Sequence, residues 1–201
     1  MVKTIAVIGA DIVGCRIASI AALSGYDTVL EDVSNERLAK AATWIERESF
    51  AAGGAPDARE RDAAAGRVSL AHTVEDAIRD ADLIIETLPD EMEMQIELFT
   101  ILDKFAKPNA IFASTGFLSI TELAEITFCA DRCIGMRFAE SAEGMGAIEL
   151  IKLVKGSETS QETIARCAEV ARCMGREVVV LDETALSRSG ESERKFANAQ
   201  D

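Results

Sequence analysis

The stretch IAVIGADIVGCRIA, residues 5–18, constrains the fold of this chain more than any other. Thr4–Ile8 is a continuous apolar run of the kind a strand shows when both of its faces are covered. Gly9 and Gly14 follow, and Val13, Ile17, Ile20 and Ala21 then recur at helical spacing until Gly25 closes the helix. A strand that runs through a glycine turn straight into a helix leaves the first helical amides pointing at the turn, ready to hold an anion. Gly9 supplies the tight turn, and Gly14 allows the helix to approach the strand closely. The middle position of the turn, which glycine normally fills so that backbone can lie against a phosphate, is Asp11.

The rest of the chain repeats the same alternation. DTVLED (27–32) reads as a second strand, and Ser34 caps a helix whose face carries Leu38, Ala41, Ala42 and Ile45. AAGGAPDARERDAAAG (51–66) is polar and rich in small residues, and is expected to be a loop or frayed hairpin. Strands are expected at Val68–Leu70, Asp82–Glu86 and Ala110–Ser114. Between the last two lies an amphipathic helix with Leu98, Ile101, Leu102 and Phe105 on one face. Strand-like runs at 131–138, 148–154 and 176–181 and a helix near Gln161–Met174 complete the pattern. Strands alternating with helices predict an α/β fold: a Rossmann-like, doubly wound, mostly parallel sheet with helices on both faces. One domain over residues 1–182 is expected, followed by a polar, loose tail over 183–201.

Asp32 gives the glycine turn its partner. It lies 23 residues past Gly9, at the end of the second strand, where an acid accepts hydrogen bonds from a ribose. Glu31 and Asp32 together repel a 2′-phosphate, so the expected cofactor is NAD rather than NADP. The expected cofactor-binding residues on this chain are Gly9, Asp11, Ile12, Gly14 and Asp32. Asp11 brings a carboxylate to the place of a diphosphate. Its side chain can also cap the helix that begins at Ile12, competing with the phosphate for the same amides.

Composition excludes other classes. A net charge of −14 argues against nucleic acid and anionic membranes as partners. No apolar run approaches the length of a membrane span, and the first residues lack a basic leader, so the cytoplasm is the expected location. The five cysteines, Cys15, Cys129, Cys133, Cys167 and Cys173, form no CxxC pair and are expected to be reduced, buried thiols rather than metal ligands. His72 is the only histidine and falls just past the third strand, as an ordinary surface residue would.

KTIAVIGADIVGCRIASIAALSGYDTVLEDVSNERL (3–38), DLIIETLPDEMEMQIELF (82–99), AIFASTGFLSITELA (110–124), RCIGMRF (132–138) and ETSQETIARCAEVARCMGREVVVLD (158–182) resemble, in order, the N-terminal part of the 3-hydroxyacyl-CoA dehydrogenases. The resemblance implies an NAD-binding domain and hydride transfer between the nicotinamide and C3 of a 3-hydroxyacyl thioester. It also implies a following helical domain that completes the acyl pocket and mediates dimerisation; that domain is expected to be absent here. By the same resemblance Glu86 joins the expected cofactor-binding residues as an acid near the nicotinamide, and Ser114 hydrogen-bonds the substrate hydroxyl. The family's base is the histidine of an HFFNP motif, oriented by a glutamate. At those places this chain has Arg137 and Glu149, with Glu140 and Ser141 replacing the motif's asparagine and proline. A family lysine is replaced by Gln95.

Arginine cannot accept the proton that leaves an alcohol as its hydride departs, because it stays charged and only donates. Arg137 is therefore expected either to pair with Glu149 or to clamp a substrate carbonyl or carboxylate, while Glu140 and Glu143 are expected to form a solvated face, the alternative being that one of them replaces the missing base. The catalytic set that the resemblance implies is Ser114, Arg137 and Glu149. The function it implies is that of an NAD(H)-dependent oxidoreductase of fatty acid metabolism. Its substrate would be a hydroxyacyl or oxoacyl thioester of coenzyme A or a carrier protein, or a related hydroxy acid. A homodimer or a partner subunit would wall the pocket. The alternative is a catalytically inactive domain that senses a nucleotide or docks to a partner.

Overall fold

The structure is a computed structural model that describes residues 1–47, 58–140 and 148–184. In chain order its elements are β1 (Thr4–Ile8), α1 (Ile12–Leu23), β2 (Asp27–Glu31), α2 (Asn35–Arg47), α3 (Ala58–Ala65), β3 (Val68–Ala71), α4 (Val74–Ile78) and β4 (Leu83–Glu86). The second half continues with α5 (Met92–Phe105), β5 (Ile111–Ser114), α6 (Ile120–Ala124), β6 (Cys133–Glu140), β7 (Ile148–Lys155), α7 (Gln161–Cys173) and β8 (Glu177–Asp182).

The strands form one sheet in the order β3-β2-β1-β4-β5-β6-β7-β8. The pairs from β3 across to β6 are parallel, β6 and β7 are antiparallel, and β8 runs parallel to β7. The chain builds outward from β1 through β2 to β3, then returns to the other side of β1 to lay down β4, β5 and β6. That reversal leaves a crevice above the carboxyl ends of β1 and β4, where doubly wound sheets bind their ligands.

Alternation along each central strand supplies two cores. Ile5, Val7, Leu83, Ile85 and Ile111 pack with Ile17, Ala18 and Ala21 of α1 and Ile164 and Ala168 of α7. Ala6, Ile8, Ile84 and Phe112 pack on the opposite face with Leu98, Phe99 and Leu102 of α5. Burial on both faces is why these strands read as unbroken apolar runs in the sequence.

The structure corrects three readings. Residues 58–65, expected within a loop or hairpin, form α3, which buries Ala64 against the first core; residues 51–57 of that stretch lie outside the described residues. The buried stripe of α5 is Gln95, Leu98, Phe99 and Leu102, while Ile101 is half-buried and Phe105 exposed. The seam has rotated because Phe99 fills the gap over Phe112, edge to face at 6.2 Å between ring centres. Cys173 is exposed at the end of α7, whereas Cys15, Cys129, Cys133 and Cys167 are free and buried.

The expected tail begins at Glu183. Its carboxylate accepts from the Ile120 amide at 2.6 Å and from the Thr121 hydroxyl at 2.6 Å, tying the chain after β8 to the start of α6. Residues 185–201 lie outside the described residues, as do Ser141 and Glu143. Among the described residues no helix is long and apolar enough to cross a membrane.

Candidate functional site

The turn between β1 and α1 leaves no room for a side chain at Gly9 or at Gly14. Gly9 has φ +106°, and a Cβ on Gly14 would lie 1.9 Å from the Gly9 carbonyl oxygen. Thr87, just after β4, holds the turn from below by donating its hydroxyl to the Ile8 carbonyl at 3.1 Å. Asp11 has extended backbone and is the N-cap of α1, its Oδ1 accepting the Gly14 amide at 2.8 Å. The sequence had left two roles open for this carboxylate, and the geometry gives it the cap. The amides of Ile12 and Val13 lie in the first helical turn, where the helix itself offers no acceptor.

Asp32 is almost fully buried, at 4% exposure, yet carries three donors. Its carboxylate accepts from the Ala10 amide at 3.0 Å, the Ser34 amide at 2.8 Å and Arg37 Nε at 3.1 Å. One acid thus joins the glycine turn to the start of α2. Arg37 did not figure in the sequence reading; the available signal was a guanidinium five residues beyond an acid that needed a partner.

Glu31 is placed differently from the expectation that it screens a ribose phosphate. It is 2% exposed, and its Oε1 has no hydrogen-bond partner among the described residues. Burial first, and then the negative charges of Asp32 and Glu75, push its carboxyl up to about 7.

A second polar cluster lies at the ends of β4 and β5, across the crevice. Ser114 donates its hydroxyl to Glu86 Oε1 in a short hydrogen bond. Glu86 Oε2 accepts from the Leu88 amide at 2.8 Å and from Gln95 Nε2 at 3.0 Å. The Gly116 amide donates to Ser114 Oγ at 3.2 Å. Glu86 and Ser114 are each 1% exposed and Gln95 is fully buried, with its Oε1 unpartnered among the described residues. Burial, outweighing these hydrogen bonds, raises the Glu86 carboxyl above its ordinary value.

Arg137, on β6, donates from Nε to the Gly116 carbonyl at 3.0 Å and lies 4.7 Å over the Phe117 ring. It therefore borders the Ser114 loop. Glu149 is exposed on β7 at a register shift: Ala139 pairs with Leu150 and Glu140 with Ile148, so Glu149 is the extra residue. The structure brings Gly9, Asp11, Ile12, Gly14 and Asp32 to one side of the crevice and Glu86, Ser114 and Arg137 to the other. His72 is exposed beyond β3.

A turn with no room for a Cβ at Gly9 or Gly14, a helix end behind it and a buried acid just past the next strand define a dinucleotide-binding domain. A profile described as "3-hydroxyacyl-CoA dehydrogenase, NAD binding domain" matches residues 4–184. The chain belongs to that family, and the cofactor of this domain is NAD. The residues fit it: the Gly9–Gly14 cradle and the Ile12 and Val13 amides suit a diphosphate, and Asp32 suits a ribose.

Among curated proteins, the chain is 34% identical over 188 residues to a 3-hydroxybutyryl-CoA dehydrogenase from Bradyrhizobium diazoefficiens, covering 91% of this chain and 62% of the relative. It is 31% identical over 192 residues to the mitochondrial hydroxyacyl-coenzyme A dehydrogenase of Sus scrofa, covering 92% of this chain and 60% of that one. The crystal structure of 3-hydroxybutyryl-CoA dehydrogenase from Escherichia coli K12 superposes with a TM-score of 0.83 at 27% identity, over 91% of this chain and 39% of that one. The chain thus spans about 60% of the length of the curated relatives named here.

Proposed function

We propose that this chain is an NAD(H)-dependent oxidoreductase that interconverts a 3-hydroxyacyl and a 3-oxoacyl thioester, carried on coenzyme A or a carrier protein, in cytoplasmic fatty acid metabolism. The observation that supports it is the crevice itself, which sets the Gly9–Gly14 turn and Asp32 opposite the buried Ser114–Glu86 pair and Arg137. Bound NAD supplies the hydride acceptor, or in its reduced form the donor. Asp32 orients the ribose, Ser114 holds the substrate oxygen at C3, and Arg137, bordering the Ser114 loop, sets a positive charge beside that oxygen. Glu149 stands on β7, the strand paired with that of Arg137, but at the bulge opposite Ala139 and Glu140, while Arg137 itself lies opposite Lys152.

Ile12, Val33 and Phe117 are exposed apolar residues in the segments that follow β1, β2 and β5 at the carboxyl end of the sheet, so a covering surface, from a second copy or a partner subunit, fits there. Light scattering of the purified chain tests for a dimer.

The decisive assay mixes the protein with NADH and acetoacetyl-CoA and follows the nicotinamide absorbance. Turnover that Ser114→Ala abolishes supports the dehydrogenase. NADH binding without turnover supports a nucleotide-sensing domain instead.

A further inference from the structure

We propose that Glu86 is the proton acceptor and donor of the reaction, working through the Ser114 hydroxyl bonded to it at the carboxyl ends of β4 and β5. The inference rests on the dehydrogenase reading above and names the group that reading leaves unfilled. A secondary alcohol loses a proton as its hydride departs, and Arg137, which borders the Ser114 loop, has no lone pair to receive it.

Among the described residues, Glu86 is the carboxylate joined directly to the Ser114 hydroxyl, which the proposed reaction sets against the substrate oxygen. Three features suit it to the task. Its Oε1 is bonded to Ser114 Oγ, so one proton hop connects them. Its Oε2 is fixed by the Leu88 amide and by Gln95 Nε2, so the carboxyl cannot rotate away. Gln95, fully buried on α5, donates to the carboxylate and so favours the anion, but as a neutral amide it does so without a positive charge.

The surroundings agree. Asp90, in the loop before α5, adds negative charge and favours the protonated form, as burial does. Arg137, on β6, donates its Nε to the Gly116 carbonyl, while the donors to Glu86 are Ser114, Leu88 and Gln95. β1 presents Ile8 and β5 presents Ser114. Burial and Asp90 together outweigh the hydrogen bonds from Ser114, Gln95 and Leu88, so this carboxyl is held above the ordinary glutamate value and takes up a proton more readily.

In the oxidation the C3–H bond breaks and its electron pair leaves with the hydride to the oxidised nicotinamide of NAD. The substrate O–H bond breaks, its proton passes to Ser114 Oγ, and the Ser114 proton passes to Glu86 Oε1. The alcohol becomes a ketone and the carboxylate becomes a carboxylic acid, which later returns its proton to water. Reduction of an oxoacyl thioester reverses each transfer, so Glu86 must then start protonated.

The test has two arms. In the cofactor-free protein, difference infrared spectroscopy is expected to show a protonated-carboxyl band near neutral pH that Glu86→Gln removes and Ser114→Ala shifts. A Glu86 ionised throughout the range from about pH 5 to about pH 9 overturns the proposal. In the second arm, NADH oxidation by acetoacetyl-CoA is followed against pH. The wild-type rate is expected to fall as pH rises through the value found by infrared, with a solvent deuterium isotope effect. Glu86→Gln is expected to lose about 100-fold in kcat and the pH-dependent limb, with the calorimetric Kd for NADH within about twofold. Glu86→Asp retains the acid, and is expected to restore the limb at a reduced rate should the Gln variant fold poorly. Wild-type turnover with an unchanged pH profile in both variants sinks the relay alone. NADH binding without any wild-type turnover sinks the relay together with the dehydrogenase reading.

Discussion

Asp11 Oδ1 accepts the amide hydrogen of Gly14 at 2.8 Å, so the residue that occupies the middle of the glycine turn is also the cap of the helix behind it. Two effects of opposite sign meet there. The cap stabilises α1 by about 1 kcal/mol, while the carboxylate opposes a diphosphate at the same helix end by roughly 0.3–1 kcal/mol. Asparagine separates them because it caps without charge. Asp11→Asn is expected to keep the melting temperature within error and to tighten NADH binding by about threefold in calorimetry. Asp11→Ala is expected to lose the stability that Asn retains. Unchanged NADH affinity in the Asn variant would show that the carboxylate points away from the diphosphate.

Gly14 faces a harder constraint. A methyl group there would lie 1.9 Å from the Gly9 carbonyl oxygen, an atom of a rigid turn that Thr87 holds in place. Gly14→Ala is expected to cost more than about 3 kcal/mol or to push α1 away from β1, and in either case to abolish NADH binding. Denaturant titration and calorimetry check the two halves separately. An alanine variant with native stability and affinity would contradict the close packing described for this turn.

How much of this could be read in the sequence follows from how local each cause is. The β1–α1 turn was legible because Gly9 and Gly14 answer to contacts a few residues away, and the acid after β2 because strand length fixes its place. The central strands were legible from burial on both faces. The extent of α3 was not, since ARERDAAA has weak amphipathicity and its helix is decided by packing Ala64 against the first core. The Asp32–Arg37 pair and the Glu86–Ser114–Gln95 cluster join different elements. Their residues stood in plain view, Gln95 as a departure from the family's lysine, but only the fold brings the cluster's three side chains within hydrogen-bond reach. The burial of Glu31 was also hidden, because a carboxylate at a strand end is ordinarily solvated.

That burial has a pH signature. The Glu31 carboxyl is held up to about 7 against an ordinary value of 4.5, so the folded state prefers its protonated form. Folding stability from this group is fully present below the ordinary value and is lost as pH rises through about 7. Glu31→Gln removes the titration while keeping the shape. It is expected to raise stability by about 2 kcal/mol more at about pH 8 than at about pH 5, measured as paired denaturant curves. Equal effects at both values would mean that the carboxyl finds water or a cation in solution.

Gln95→Lys tests the electrostatics of the second cluster from the opposite direction. Gln95 Nε2 lies 3.0 Å from Glu86 Oε2, so an ammonium near that position places a full positive charge against the carboxylate. An opposite charge at such range lowers a carboxyl pKa by about 1–3 units. The raised pKa of wild-type Glu86 makes its contribution to stability greatest below the ordinary carboxylate value and lost as pH rises through the raised one. The lysine variant is expected to remove that loss, so its stability relative to wild type should improve with rising pH even if the longer side chain costs about 1–3 kcal/mol of packing throughout. In the NADH assay the falling limb should move to lower pH, slowing reduction near neutrality and favouring alcohol oxidation, because a carboxylate stabilised as the anion gives up its proton early. A pH profile that stays in place while the stability curve moves would separate Glu86 the buried acid from Glu86 the proton relay, and would leave the reaction's proton to another group.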